Sequence, residues 1–305
     1  MEKLTSLSDG ARVGFFGLGL AVAFAAAFLL GSAFDPAETG AGGSHQEGGG
    51  HSAAHERSEE TEMTAHREHQ ATETAPGGLA VATGGYALRV ASTHLEPGEP
   101  GKLRFQIEGP DGEAVREFDR LHEREMHLIV VRRDGAHFQH LHPELDPGGT
   151  WTAALTLPAA GVYRAFADFA VDGDDQTLAA DLFASGRFEA QPFPASAAVV
   201  ETDGYELRLE GAPPLAGQPA ELRFSVSRDG REVSDLQDYL GAKGHLVALR
   251  EGDLAFLHVH PDAQEEPGVI PFTAHFPTPG RYRLYLQFQH DGEVRTAEYT
   301  LAVRR

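Results

Sequence analysis

The sequence predicts an all-β protein: two tandem β-sandwich domains, preceded by one transmembrane helix and a disordered linker. Three observations predict it. An uncharged apolar run of 22 residues occupies positions 13–34. The chain from residue 79 onward repeats itself, with matching segments 118 or 119 positions apart. Each copy consists of short apolar runs separated by Gly and Pro turns, with no helical periodicity.

The first element is the run VGFFGLGLAVAFAAAFLLGSAF at 13–34, long enough as a helix to cross a hydrocarbon core of about 30 Å. Lys3 and Arg12 precede it, and the next basic residue is Arg57. This bias keeps residues 1–12 in the cytoplasm and places the remainder outside, in a single-pass protein of the cell membrane. The alternative is a signal peptide cleaved near Gly31-Ser32-Ala33.

Residues 35–78 are poor in large apolar side chains and cannot offset chain entropy by burial, so they read as a disordered acidic linker. Its nine acidic residues face only Arg57 and Arg67, which favours an extended tether. It carries His45, His51, His55, His66 and His69, which can collect metal ions loosely.

The two repeats follow, at 79–194 and 195–305. Gly85-Tyr86-Ala87-Leu88-Arg89-Val90 matches Gly204-Tyr205-Glu206-Leu207-Arg208-Leu209, and Pro158, Gly161, Tyr163, Arg164 and Phe169 match Pro277, Gly280, Tyr282, Arg283 and Phe288. In the first copy strands are expected at 86–90, 103–107, 127–131, 150–157, 163–169 and 178–183. Gln191-Pro192-Phe193-Pro194 reads as a stiff connector. The Gly-x-Tyr-Arg sequence entering a late strand resembles immunoglobulin-like domains, and that resemblance implies an immunoglobulin-like sandwich without implying any chemistry.

Composition restricts the chemistry. Lys plus Arg number 25 against 46 Asp plus Glu, a formal net charge of −21, which argues against a nucleic-acid partner and favours cations. No cysteine is present, which removes disulfides, thiolate metal sites and cysteine nucleophiles. With 3 Met, a thioether site for Cu(I) has little to draw on. The 16 His are the remaining donors for a borderline metal.

Imidazoles recur at identical spacing in the middle of each copy: His127, His140 and His142 in MHLIVVRRDGAHFQHLHP, and His245, His258 and His260 in GHLVALREGDLAFLHVHP. Each segment reads as a β-hairpin. A four-residue loop sets His127 across from His140, and a two-residue Asp-Gly loop sets it across from His142. Both registers place all three rings on one face, because alternate residues of a strand share a side. Three such nitrogens suit a Zn(II) or Cu(II) ion. His122 and His275 are candidates for a fourth ligand. Leu141 and Val259 should face the core, Trp151 is a core candidate, and His94 and His290 are expected in solvent. Asp168 has Gln287 as its counterpart and is not expected to be a required ligand.

The two hairpins resemble those of exported bacterial immunoglobulin-like proteins associated with heavy metals, the YtkA-like and CopC-like groups. The resemblance implies a membrane-anchored, extracytoplasmic protein that handles divalent Cu or Zn, with a further metal-handling protein as partner. By position it points to the six hairpin histidines, one ion per domain. Affinity is then expected to weaken as the pH falls through about 6.5, where free imidazole protonates. The chain is not expected to be an enzyme. Two alternatives stand beside this reading. One is an adhesive or scaffolding protein without metal. The other is a metal-dependent bicupin, of whose motif the second copy holds Gly252, His258, His260 and Glu265.

Overall fold

The computed structural model describes residues 77–257, 259–262 and 266–305. The apolar run at 13–34 and the linker up to residue 76 lie outside the described residues. The described chain is all-β.

The first domain holds β1 (Ala82–Thr83), β2 (Tyr86–Val90), β3 (His94–Leu95), β4 (Gly101–Glu108), β5 (His127–Arg132), β6 (Gln139–Leu141), β7 (Glu144–Leu145), β8 (Thr150–Leu155), β9 (Gly161–Val171) and β10 (Asp174–Ala184). Its sheets run β1-β2-β4-β8-β7 and β3-β10-β9-β5-β6. The second domain holds β11 (Val199–Thr202), β12 (Tyr205–Glu210), β13 (Pro219–Arg228), β14 (Arg231–Glu232), β15 (Gly244–Arg250), β16 (Phe256–Leu257), β17 (Val259–Pro261), β18 (Val269–His275), β19 (Gly280–His290) and β20 (Glu293–Val303). Its sheets run β11-β12-β13-β18-β17, with β14 beside β13, and β16-β15-β19-β20.

Side-chain alternation builds each sandwich. In β4, Leu103, Phe105 and Ile107 turn inward while their neighbours face solvent. They meet Trp151, Leu128, Val130, Ala165, Ala167 and Phe169 from strands of both sheets in one core. The second domain repeats this with Leu222, Phe224, Val226, Leu246, Ala248, Leu284 and Phe288. Leu141 packs against the first core, and Val259 lies within the second. The Gly-x-Tyr-Arg positions also serve the fold. The Tyr163 hydroxyl donates to the Ala159 carbonyl, and that of Tyr282 to the Thr278 carbonyl, each at 2.9 Å. This is the tyrosine corner of immunoglobulin-like sandwiches.

β5 departs from alternation, for all six of its residues are buried. One face lies on its own core. The other packs against the second domain, where Ile129, Val131 and Phe166 meet Val247, Leu249, Leu254, Phe256 and Tyr285. Burying a side chain of this size contributes about 1.5–3 kcal/mol. The Phe138 ring stacks on Tyr285 at 4.1 Å between centroids, and the Tyr285 hydroxyl donates to the Gly135 carbonyl at 2.6 Å. The connector is fastened to the first hairpin turn and to β19. The Gln191 amide donates to Asp134, itself paired with buried Arg132, and Phe193 lies under the Arg281 guanidinium.

The chain enters this junction through Gly78, whose φ is +68°. A Cβ there would lie 2.5 Å from Phe166 and 3.2 Å from Phe256. The Gly78→Ala variant should therefore lose about 1–3 kcal/mol of stability through backbone strain and overpacking. Urea unfolding measures this, and a midpoint equal to that of the unaltered chain would show that the junction yields freely.

Candidate metal centre

The β5–β6 register pairs Leu128 with Leu141 and Ile129 with His140, so His127 stands across from His142. This is the second of the two registers considered from sequence, although the loop closing it spans four residues, from Arg133 to Ala136. The Arg132–Asp134 ion pair braces that loop. The shared parity puts His127, His140 and His142 on the face turned toward the second domain. Each offers a ring nitrogen, and these nitrogens all lie within 4.8 Å of one another.

Hydrogen bonds orient two of the three rings. His127 Nε2 lies 2.9 Å from the Leu121 carbonyl oxygen, and His140 Nδ1 lies 2.6 Å from Gln287 Oε1. The Leu121 carbonyl can only accept, so His127 Nε2 carries a proton, and with the Gln287 amide oriented as it stands His140 Nδ1 carries one too. The remaining nitrogens, His127 Nδ1 and His140 Nε2, then hold lone pairs and face each other at 2.9 Å. His142 Nε2 is buried beside them with no hydrogen-bond partner.

The second domain brings His245 to the same place. Its ring stacks on that of His127, with centroids 5.5 Å apart, and lies 4.6 Å from that of His140. Its Nδ1 is buried without a hydrogen-bond partner. His122, at a φ of +45°, brings its ring to 6.1 Å from His127 and 5.8 Å from His245. Five imidazoles, four from the first domain and one from the second, thus gather at the junction.

The second copy does not repeat the hairpin of the first. Pairing of β15 with β16 ends at Ala248 with Leu257, and β17 crosses to the opposite sheet, where His260 pairs with Thr273 of β18. The backbone groups of that segment complete the other ladder, so they cannot also extend the hairpin. His245 and the backbone of His260 consequently belong to different sheets. His258 and Glu265, on which the bicupin alternative depends, lie outside the described residues. His275 is exposed at the end of β18.

Two further expectations are corrected. His290 is buried rather than solvated, because Tyr205 and Asp235 hydrogen-bond its two nitrogens. Gln287, treated from sequence only as the counterpart of Asp168, borders the cluster. Gln287 is the strand partner of His245, as Asp168 is of His127. The signal for it was positional: in both copies this residue stands beside the first hairpin histidine. Asp168 accepts from the Thr177 hydroxyl at 2.7 Å.

Burial sets the electrostatics. Desolvation, followed by the neighbouring His127, pushes His140 down to about 3 and His142 down to about 4. Desolvation and then His140 hold His245 well below the ordinary imidazole range. Burial also lowers His127, opposed by its bond to the Leu121 carbonyl and by the Asp168 charge. His94, by contrast, is exposed and stacks on Phe183.

These directions fix a pH dependence for the metal-free chain. Above the unfolded imidazole value of about 6.5, folded and unfolded chains both keep these rings neutral, and the groups contribute nothing. Below it the unfolded chain takes up protons that the folded chain refuses. Stability therefore falls as the pH drops below about 6.5, and the penalty from His140 stops growing only below about 3. Urea midpoints of metal-free protein between pH 7.5 and 4.5 should drop, and those of His140→Asn should drop less. Parallel curves would show that these rings protonate freely in the folded chain.

Residues 80–186 and 198–305 each match a family described as "Domain of unknown function (DUF8832)". Among curated proteins none matches the chain in sequence. Solved structures with similarity include FdeC, an Escherichia coli adhesin, at 16% identity, 74% of this chain and 66% of that one, with a TM-score of 0.24. Invasin, described as a bacterial integrin-binding protein, is similar at 13% identity over 72% of this chain and 38% of its own, with a TM-score of 0.23. The Lin-41 filamin domain is similar at 13% identity over 32% of this chain and 92% of its own, also at 0.23. Likenesses at this level carry no argument about what this chain binds. The family matched differs from the YtkA-like and CopC-like groups that the hairpins resemble: the chain belongs to the DUF8832 family, whose domain it carries as two tandem copies.

Proposed function

We propose that this is a membrane-anchored, extracytoplasmic metal-binding protein that holds a divalent Cu or Zn ion at His127, His140 and His142. Residues 13–34 anchor it, the linker histidines raise the local metal concentration, and a further metal-handling protein exchanges the ion. One observation carries the metal reading. With both outer nitrogens donating to carbonyl oxygens, the lone pairs of His127 Nδ1 and His140 Nε2 point at each other across 2.9 Å. Two lone pairs at that distance repel unless a cation lies between or beside them. Metal-ligating imidazoles commonly donate their other N–H to a carbonyl or carboxylate. The Leu121 carbonyl and Gln287 Oε1 are in place to accept those bonds, and His142 Nε2 adds a third donor. The ligands are all neutral nitrogens, suited to Zn(II) or Cu(II) and poorly suited to Mg(II) or Ca(II).

The same contacts favour one other reading. If the Gln287 amide is turned so that its NH2 group faces His140, an uninterrupted run of hydrogen bonds links Gln287, His140, His127 and Leu121 without an ion. The cluster then serves as a polar fastening in a metal-free scaffold or adhesin.

Titration of the full chain with Zn(II) and with Cu(II) separates the two. Replacing His127, His140 and His142 together by Ala should remove one tight site and leave the weak linker sites. Gln287→Leu should weaken that site about 10- to 100-fold, as loss of a bond orienting a ligand does. Identical isotherms for all three proteins would establish the scaffold reading. The site should also tolerate acid. Because burial has already excluded protons from His140 and His142, affinity should hold from pH 7 to about 5 and decline toward about 4. The threshold of about 6.5 then describes only imidazoles fully exposed to solvent.

A further inference from the structure

We infer that the ion is shared between the domains: His245 of the second sandwich supplies a fourth nitrogen, so that each chain holds one junctional ion and that ion clamps the two domains together. This rests on the metal reading above and extends it from a site within one hairpin to a joint between domains. Its basis is geometric. His245 sits on β15, whose same-face neighbours Val247 and Leu249 lie in the interdomain core opposite Ile129 and Val131. That packing holds the His245 ring against His127 and His140, with centroids 5.5 Å and 4.6 Å away. Its Nδ1 is one of two partnerless buried nitrogens in the cluster, the other being His142 Nε2. An unpaired buried donor or acceptor is costly, so two in one cluster call for a common partner. Three ligands from the first domain and one from the second give the four-nitrogen set of a closed site.

The backbones of the two copies also differ here. β6 stays paired with β5 and keeps His140 at the junction, whereas β17 joins the far sheet. Among the described residues, the nitrogens within 4.8 Å of one another are those of the first-domain trio, and the His245 ring lies beside that set rather than within it.

The test uses the full-length protein in detergent micelles, with Zn(II) as the probe. Linker histidines are present in every variant, so differences between variants isolate the junction. Competition with a chelator should show the affinity of His245→Ala and of His245→Gln reduced about 10- to 100-fold from that of the unaltered chain. Amide hydrogen exchange reports the clamp. Zn(II) should slow exchange in residues 127–132 and also in residues 244–250. In either His245 variant, slowing should be confined to the first domain. Equal metal-free urea midpoints for His245→Gln and the unaltered chain would show that the fold is intact. Unchanged affinity in both variants, or protection by Zn(II) that never reaches residues 244–250, would overturn the clamp while leaving a first-domain site standing. Zn(II) binding unaffected by loss of the trio would instead overturn the metal reading and the clamp with it.

Discussion

The covered outer face of β5 is the constraint from which the rest follows. Ile129 and Val131 point away from the core of their own domain and need a second apolar surface. Val247 and Leu249, their equivalents in the second repeat, need the same. Packing the two faces together satisfies both, much as an isologous dimer would, with corresponding residues in contact across the joint. Phe138 on Tyr285 and Phe166 against Phe256 complete it. His127 and His245 occupy the next same-face position in each strand, so burial of the aliphatic pairs carries the two imidazoles out of water as well. The histidines are buried because the hairpins are.

Duplication accounts for the shared surface but not for the site. A faithful copy would place equal sets of rings on both sides. The backbones differ: β17 of the second copy joins the sheet of β18, while the first copy keeps His140 in the ladder of β5. The difference at the adjoining strand points the same way. Asp168 lies beside His127 and bonds within its own domain to Thr177, whereas Gln287 lies beside His245 and reaches across to His140. Two positions that correspond in sequence thus do different work, one local and one bridging.

Much of this was legible in the sequence. The repeat, the turns at Gly and Pro, and alternation in segments such as LRFQI identified the sandwiches and most of their strands. The shared parity of His127, His140 and His142 was legible too, because it survives either hairpin register. The joint between the domains was written there but harder to read. Leu128 to Val131 is apolar at both parities, which marks a strand covered on two faces, yet nothing local says what covers the second. Gln287 was harder still, since its role depends on a contact 147 residues away in sequence. The crossing of β17 depends on competition between two ladders for the same backbone groups, and the side-chain pattern barely records that choice.

On the proposed reading, a divalent ion suits this cluster better than a proton does. A proton bonds to one imidazole, or is shared by two, and leaves a net charge in a desolvated pocket with other rings nearby. That cost is what holds His140 and His142 near 3 and 4 and His245 well below its ordinary range. A divalent ion carries more charge but draws three or four lone pairs to itself at once, which offsets the loss of water. The net charge of −21 raises the concentration of cations around the molecule without placing a carboxylate among these nitrogens. Burial thus disfavours protons at neutral pH and keeps the lone pairs available, so the apolar contacts that join the domains also supply what the proposed metal site requires.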